Sequence, residues 1–365
     1  MGIGQRPLEG LGVNRSFWHG RRVFITGHTG FKGGWLSLWL ADMGAQVHGY
    51  ALAPPTEPSF FDTVGLSQHL SGNTIDDIRN ADTLNRAVGA AAPEIILHLA
   101  AQPLVRYSYA EPVETYAVNV MGTVHLLEAA RRTDTVRAIV NVTTDKCYEN
   151  QEWVWPYREN EAMGGADPYA SSKACSELVT AAYRASFMEA AGIQLASARA
   201  GNVIGGGDWA KDRLLPDFLR AIDAETPLTI RSPQATRPWQ HVLEPLSGYL
   251  TLAERLYTEG ADFAEGWNLG PDESDARPVS WIVDYLCDRI PGASWRHDRS
   301  EQPHEAHTLK LDSAKARARL GWGPRWSLQH ALDRTLDWHR GWRQGADMAA
   351  ISLEQIHEYE AADSP

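Results

Sequence analysis

Tyr169 and Lys173 form a pair whose types and spacing could do chemistry. They stand four positions apart in the stretch YASSK, and residues i and i+4 share one face of a helix. A nearby ammonium group favours the phenolate over the phenol and so lowers the pKa of a tyrosine. A phenolate held in this way is a base that can take the proton of an alcohol during its oxidation.

A second reactive group, Thr144, Asp145 and Lys146, follows directly on the apolar stretch 136–142. That stretch predicts a buried strand, and ligands bind at the carboxyl ends of strands in open α/β sheets. A hydroxyl, a carboxyl and an amine in succession could transfer protons there. A polar exit from a strand into a loop has the same residue types, so this alternative stays open.

Three glycines in the pattern Gly27-x-x-Gly30-x-x-Gly33 lie between a strand over 22–26 and a helix over 35–43. Glycines at such a junction allow a tight turn and a close approach to a diphosphate, and the helix N-terminus offers free N–H groups. A purely structural turn is the alternative. The residues assigned to this cradle are Gly27, Thr29, Gly30, Phe31, Lys32 and Gly33.

Small residues and arginines supply further candidates. Leu99, Ala100 and Ala101 close another predicted strand, where a flat ring could approach the backbone, although core packing would explain them equally well. Arg199 and Arg237 precede or follow the glycine-rich stretch 201–207. Arginine suits bidentate contact with phosphate, but a salt bridge is at least as good an explanation of either one.

Short apolar strands alternate with helical patterns up to about residue 200, which predicts an α/β fold with a doubly wound parallel sheet (Rossmann-type). Strands are expected at 22–26, 45–51, 73–78, 94–99, 136–142 and 193–199, with helices at 80–92, 112–132 and 168–190. Beyond 200 the alternation weakens and predicts a smaller α/β C-terminal substrate lobe. We assign 18–200 to a dinucleotide-binding domain with 240–260 packing back on it, 201–345 mainly to the lobe, and 346–365 to a peripheral tail.

Composition excludes several classes of function. The net charge is -12, which disfavours nucleic acids and anionic membranes as partners. Three dispersed cysteines, Cys147, Cys175 and Cys287, predict neither a disulfide framework nor a metal site and favour a reducing cytoplasm. The first residues lack the build of a signal peptide, and no apolar run is long enough to predict a membrane-spanning helix.

These motifs together resemble the extended short-chain dehydrogenase family of nucleotide-sugar enzymes, and within it the CDP-glucose 4,6-dehydratases. The resemblance runs from about residue 18 to 345 and is carried most specifically by GHTGFKGGW and TTDKCYEN. It implies bound NAD, CDP-glucose as substrate, a homodimer and a role in making deoxysugars such as those of lipopolysaccharide O-antigen.

The resemblance also implies roles for residues. Tyr169, assisted by Thr144 and Lys173, would deprotonate the 4-hydroxyl while a hydride leaves carbon 4. Asp145 would act as the acid and Lys146 as the base in the loss of water across carbons 5 and 6, which requires Lys146 to be neutral. Further positions where relatives contact cofactor or substrate are Asp77 and Ile78 (adenine), Gln102 and Ser108 (hexose), Asn202 and Arg237 (diphosphate), and Glu305 and His307 (nucleotide).

Two other functions stay open beside a dehydratase. A 4-epimerase would keep Tyr169, Lys173 and Thr144 but would not need an acid–base pair next to Thr144. A catalytically silent NAD-binding regulator would need no proton relay. The stretch 47–52 ends without an acid that could bind the adenosine ribose. The residues therefore leave the choice between NAD and NADP open, and they predict weak binding of the cofactor.

Overall fold

The computed structural model describes residues 12–300 and 308–362. Its strands, in chain order, are β1 Arg22–Thr26, β2 Gln46–Ala51, β3 Gly72–Ile75, β4 Ile95–His98, β5 Ala138–Val142, β6 Gln194–Ala200, β7 Asn202–Ile204, β8 Leu228–Ile230, β9 Thr236–His241, β10 Gly266–Leu269, β11 Ala276–Pro278 and β12 Trp295–His297. Its α-helices are α1 Arg15–Trp18, α2 Phe31–Asp42, α3 Phe60–Thr63, α4 Ala81–Ala91, α5 Val105–Ala110, α6 Pro112–Tyr116, α7 Gly122–Arg131, α8 Pro168–Tyr183, α9 Leu214–Asp223, α10 Leu243–Glu259, α11 Val279–Cys287, α12 Leu328–Arg343 and α13 Met348–Ala361.

Seven parallel strands form the main sheet in the order β10-β6-β5-β4-β1-β2-β3. The central strands β4 and β5 are buried along their whole length, as expected when helices cover both faces. The doubly wound α/β fold predicted from the alternation is therefore confirmed. Strand β10 was predicted as a piece of the C-terminal lobe, but it pairs with β6, from Gly266 opposite Ser197 to Leu269 opposite Ala200.

The two faces of the sheet carry separate cores. Val23 and Ile25 of β1 pack with residues of α2 and α10 on one face, whereas Phe24 packs with residues of α4 and α7 on the other. This alternation follows from the two-residue period of a strand. Helix α10 lies against β5 and β6, so a segment well beyond residue 200 covers the sheet.

The long helices predicted over 112–132 and 168–190 are present with local irregularities. The first consists of α6, a π-helical turn over Ala117–Met121 and α7. The second consists of α8 and a π-helical turn over Arg184–Met188. Such turns widen the helix locally and shift the faces that its side chains occupy.

The smaller lobe combines the sheet β11-β9-β7, the pair β12-β8 and helices α9, α11 and α12. Its apolar core is formed by residues of these helices, among them Phe218, Ile282 and Leu332. Strand β7 follows β6 after the single residue Gly201, so the lobe begins at the carboxyl edge of the main sheet. Within the described part of the chain, no helix is both long enough and apolar enough to cross a membrane.

Helix α13 forms hydrogen bonds with the first helix of the described chain and with α2. Glu360 accepts hydrogen bonds from Arg15 (2.7 Å) and from the indole of Trp39 (2.8 Å). Nearby, the buried carboxylate of Glu244 accepts from the hydroxyl of Tyr359 (2.7 Å). Burial raises the pKa of Glu244 to about 7, against the opposing effect of its hydrogen bonds.

Candidate active site

A cavity of about 2100 Å³ opens at the carboxyl edge of the main sheet, between the sheet and the smaller lobe. Of the described residues that the sequence assigned to the site, all line this cavity except Gln102, Ser108 and Arg199. The predicted residues along the cavity wall are Gly27, Thr29, Gly30, Phe31, Lys32, Gly33, Asp77, Ile78, Leu99, Ala100, Ala101, Thr144, Asp145, Lys146, Tyr169, Lys173, Asn202 and Arg237.

Two glycines of the turn, Gly27 and Gly33, have no room for a side chain. Gly27 has a φ of +82°, and a Cβ there would stand 2.8 Å from the backbone nitrogen of Ala100. A Cβ on Gly33 would stand 2.1 Å from the carbonyl oxygen of Gly27. Helix α2 begins after Gly30 with no side chain capping its first N–H groups, so this end of the helix fits a diphosphate.

The turn is tied to the neighbouring strand ends. The hydroxyl of Thr29 donates to the carbonyl of Leu52 just after β2 (2.8 Å). The hydroxyl of Thr26 accepts from the backbone N–H groups of Leu99 and Ala100, both at 3.1 Å. The small residues that follow β4 therefore lie directly beside the turn.

At the outer end of the cradle, β2 is followed by Leu52, which is apolar and exposed, and not by an acidic residue. Asp77 lines the cavity, but its carboxylate is held by the guanidinium of Arg79 at 2.9 Å. Ile78 is buried beside it. This end offers an apolar surface and a paired acid rather than a free carboxylate for a ribose.

Tyr169 and Lys173 both lie on the first turns of α8, whose N-cap Asp167 accepts from Ala170 (2.8 Å). Burial raises the pKa of Tyr169 to about 12, and a hydrogen bond with Thr144 opposes this increase more than the charge of Arg213 does. The sequence analysis expected Lys173 to be the group that lowers the pKa of Tyr169. The amine of Lys173 instead donates to the carbonyl of Val142 (3.2 Å), and burial lowers its pKa to about 8.

Asp145 is buried against the start of the smaller lobe. Its Oδ1 accepts from the hydroxyl of Thr144 (2.9 Å), and its Oδ2 has no hydrogen-bond partner among the described residues. Burial raises the pKa of Asp145, with the charge of Lys146 as the largest opposing influence. A raised pKa brings a carboxyl closer to its proton-donating form at neutral pH.

Three cationic side chains surround these groups. Lys146 is partly exposed on the cavity wall, rather than buried. Lys32 also lines the cavity and is partly exposed at its surface, yet desolvation lowers its pKa to about 7, followed by the charges of Arg213 and Lys173. Arg213 is held by Asp208 (2.9 Å). The sequence reasoning missed Arg213, and the polar run in which it lies gave no signal for it.

Two arginines of the sequence analysis have different places. Arg237, on β9, is buried and lines the cavity, as does Asn202 on β7, which pairs with Trp239. Arg199 was a candidate for phosphate binding, but its guanidinium is buried and bonds to Glu177 at 2.9 Å. It therefore cannot reach a phosphate.

Gln102 and Ser108 support the site from outside the cavity lining. The amide of Gln102 donates to Thr115 (2.9 Å), and the hydroxyl of Ser108 accepts from the backbone N–H of Tyr169 (3.1 Å). Glu305 and His307 lie outside the described residues. In residues 12–300 and 308–362, no three His, Cys, Asp or Glu side chains form a group suited to a metal ion.

Comparison with known proteins gives both a family and close relatives. Residues 24–335 match the family model described as GDP-mannose 4,6 dehydratase. The chain is 55% identical to the CDP-glucose 4,6-dehydratase of Salmonella typhimurium, over 96% of this chain and 99% of that protein. It is 24% identical to a dTDP-glucose 4,6-dehydratase of Xanthomonas campestris, over 91% of this chain and 97% of that protein.

Solved structures with the same fold include sugar-nucleotide epimerases. The epimerase Mth375 of Methanothermobacter thermautotrophicus superposes with a TM-score of 0.77 at 23% identity, over 93% of this chain and 98% of that one. The UDP-glucuronic acid 4-epimerase of Bacillus cereus, solved with UDP-glucuronic acid and NAD, gives 0.74 at 22% identity, over 88% and 99%. At these identities the likeness establishes the fold alone.

The burial of Asp145 generates a prediction about stability. Because its folded pKa is raised, the folded state binds this proton more tightly than the unfolded state, and the stabilisation is lost as the pH rises through the raised pKa. We expect Asp145→Asn to raise the thermal unfolding midpoint at pH 8 by about 2 °C, with a smaller gain at pH 4.5. The exposed Asp134→Asn is the control. An Asp145→Asn midpoint at or below that of the wild type at pH 8 would contradict this account.

Proposed function

Because the chain belongs to the GDP-mannose 4,6-dehydratase family of nucleotide-sugar 4,6-dehydratases, we propose that it converts CDP-glucose to CDP-4-keto-6-deoxyglucose and water. The observation that carries the choice of CDP-glucose is the match of 55% identity over nearly the whole of both chains. The geometry is consistent with it, since Asp145 and Lys146 line one cavity with Tyr169 and Thr144. In enzyme terms the activity is that of a hydro-lyase.

The proposed cofactor is NAD, which when bound supplies the acceptor of a hydride from carbon 4 and its donor to carbon 6. The glycine turn fits a dinucleotide, because Gly27 and Gly33 leave room for no side chain at the start of α2. Lys173 and Tyr169 would hold the nicotinamide end, and the apolar wall after β2 would hold the adenosine. Several structures of the same fold contain NAD.

The first proton transfer belongs to Tyr169. Its phenolate takes the proton of the 4-hydroxyl while the carbon–hydrogen bond at carbon 4 breaks, which leaves a 4-keto group. Burial alone opposes this charge, since it raises the pKa of Tyr169 to about 12. The hydrogen bond between Thr144 and Tyr169 and the charge of Arg213 oppose that increase and so support the phenolate.

The loss of water belongs to Asp145 and Lys146. The 4-keto group acidifies the proton on carbon 5, which the amine of Lys146 removes as the base. Asp145 protonates the 6-hydroxyl, which leaves as water. After the hydride arrives at carbon 6, Lys146 returns its proton to carbon 5. The proton held by Tyr169 then passes to Asp145 through the Thr144 hydroxyl, which bonds to both side chains.

The nucleotide diphosphate would lie between the sheet and the smaller lobe. Asn202, Arg213 and Arg237 line that part of the cavity. The guanidinium groups of Arg213 and Arg237 and the amide of Asn202 can bind the diphosphate. The overall charge of -12 would repel an anionic substrate, so these local cations are needed to attract it.

The test of the proposed function is incubation of the purified protein with CDP-glucose, with and without added NAD, followed by mass spectrometry. We expect the sugar nucleotide to lose one water with no accumulation of reduced cofactor, because the hydride returns to the product. An isomer of unchanged mass would instead establish a 4-epimerase. Turnover of only UDP-, dTDP- or GDP-sugars would overturn the assignment of CDP-glucose.

Lys146→Met should separate the two halves of the reaction. Without the base, Tyr169 still acts on carbon 4, but the proton on carbon 5 stays, so we expect turnover to fall by about 10²–10⁴-fold. The near-ultraviolet absorbance of the reduced cofactor should then build up when CDP-glucose is added. The control is Lys310→Met, which removes a lysine paired with Glu273 away from the cavity lining. Unchanged turnover in Lys146→Met would remove Lys146 from the role of base.

We also propose a homodimer, formed through the two irregular helices. Four residues of these helices are interface candidates: Val120, Leu127, Ala182 and Phe187. Ala182 and Phe187 are exposed and Val120 is half-buried, whereas Leu127 is 1% exposed and belongs to the core. The additional exposed apolar residues on these helices, which pack against each other, are Val113, Met121 and Leu178, and exposed apolar surface of this kind supports an interface.

Leu178→Asp tests the proposed dimer, because a carboxylate at a residue that is 60% exposed in the single chain would be buried without a partner in the interface. We expect light scattering to show a monomer for this variant and a dimer for the wild type. Val154→Asp is the matched control, since Val154 is equally apolar and exposed but lies on a loop. A wild-type monomer, or a dimeric Leu178→Asp variant, would exclude this interface.

A further inference from the structure

The buried ion pair between Glu177 and Arg199 adjoins the segment of the reacting groups through Thr143. It has no role in the reaction described so far. Glu177 stands four residues after Lys173 on α8, one helical turn away. Its side chain is 5% exposed, and that of its partner Arg199 on β6 is 6% exposed. The lost hydration of charges this deep must be compensated by close pairing and hydrogen bonds.

Both oxygens of Glu177 are saturated by donors. Oε1 accepts from the hydroxyl of Thr143 (2.5 Å) and from Nε of Arg199 (2.9 Å). Oε2 accepts from the hydroxyl of Ser197 (2.5 Å) and from Nη2 of Arg199 (2.9 Å). The carboxylate is thereby fixed in one orientation and kept ionised, and its pKa is lowered despite its burial.

The same pair reaches the far end of the catalytic segment. Nη1 of Arg199 donates to the hydroxyl of Tyr148 (2.7 Å), which in turn donates to Asn268 (2.7 Å). Thr143 and Tyr148 bracket Thr144, Asp145 and Lys146 in the sequence. The segment with the proton-transferring groups is therefore tethered at both ends to one ion pair.

The charge of Glu177 also acts on the amine of Lys173, where it raises the pKa against the effect of burial. The other titratable groups whose charges bear on this amine are Cys147 from the turn after β5, His98 of β4 and Lys32 of α2. Burial raises the pKa of the Cys147 thiol and lowers that of His98 to about 3, so both are neutral at neutral pH. Lys32 is an amine and carries no negative charge. Glu177 is thus the fixed negative charge in this set.

We propose that Glu177 is a positioning residue of the reaction: locked to Arg199, its carboxylate keeps Lys173 charged and holds the segment from Thr143 to Tyr148 against Tyr169. This inference rests on the proposed dehydratase function for its kinetic effects. Its electrostatic part concerns residues of the free protein and is measurable without substrate.

The decisive variant is Glu177→Gln combined with Arg199→Met, which removes both charges and leaves neither one buried without a partner. Trace acylation followed by mass spectrometry gives the titration midpoint of Lys173 directly. We expect this midpoint to move to lower pH by about one unit or more. The alkaline limb of kcat for CDP-glucose should move with it, so that part of the activity lost at pH 8 returns on acidification.

The control is Glu244→Gln, which alters a buried carboxyl between α10 and α13. It should leave the Lys173 midpoint and the alkaline limb in place, because a loss of stability alone does not shift a titration. A folded double variant with an unchanged Lys173 midpoint overturns the proposal. A wild-type protein that converts no CDP-glucose would instead refute the proposed function, since the acylation titration requires no substrate.

The tether is tested separately at Thr143. Thr143→Val keeps the shape but removes the donor to Glu177, and we expect kcat to fall about tenfold, equivalent to one charge-assisted hydrogen bond, with KM and the alkaline limb nearly unchanged. Thr143→Ser should restore kcat. Wild-type activity in Thr143→Val overturns the proposal, and this variant decides the matter if the double variant does not fold.

Discussion

A parallel sheet delivers the carboxyl ends of all its strands to one edge, and the site of this protein depends on that constraint. Strand order reverses between β1 and β4, so the chain leaves these two strands in opposite directions and a crevice opens between them. The glycine turn follows β1, the small residues follow β4, and the Thr143–Tyr148 segment follows β5. Chain segments far apart in sequence thus supply adjacent parts of one cavity wall without any need for a long loop.

Four of the groups in the cavity are displaced toward their neutral forms. Burial raises the pKa of Tyr169 and Asp145 and lowers that of Lys173 and Lys32. In such surroundings a proton moves between groups whose charged and neutral states are closer in free energy than they would be in water. An anionic ligand would favour the charged lysines again, so binding of a diphosphate and the protonation of the site are linked.

Local patterns sufficed to predict much of this arrangement. The glycine spacing, the Tyr169–Lys173 pair and the polar run after β5 each signal a turn or a helix face on their own. Interactions between distant segments gave no such signal. Strand β10 joins β6 through pairing across more than sixty residues, and Arg199 looked like a phosphate ligand because its partner Glu177 belongs to a different element. Gln102 and Ser108 were assigned by position in a motif, which fixes the backbone but not the direction of a side chain.

The two ends of the described chain meet on one side of the molecule, where Glu360 of α13 bonds to Arg15 and Trp39. Trp39 lies on α2, the helix whose first turn forms the diphosphate cradle. The cradle helix is therefore backed by a residue 321 positions further along the chain. A truncation within α13 would remove contacts from this helix although it changes no residue of the cavity lining.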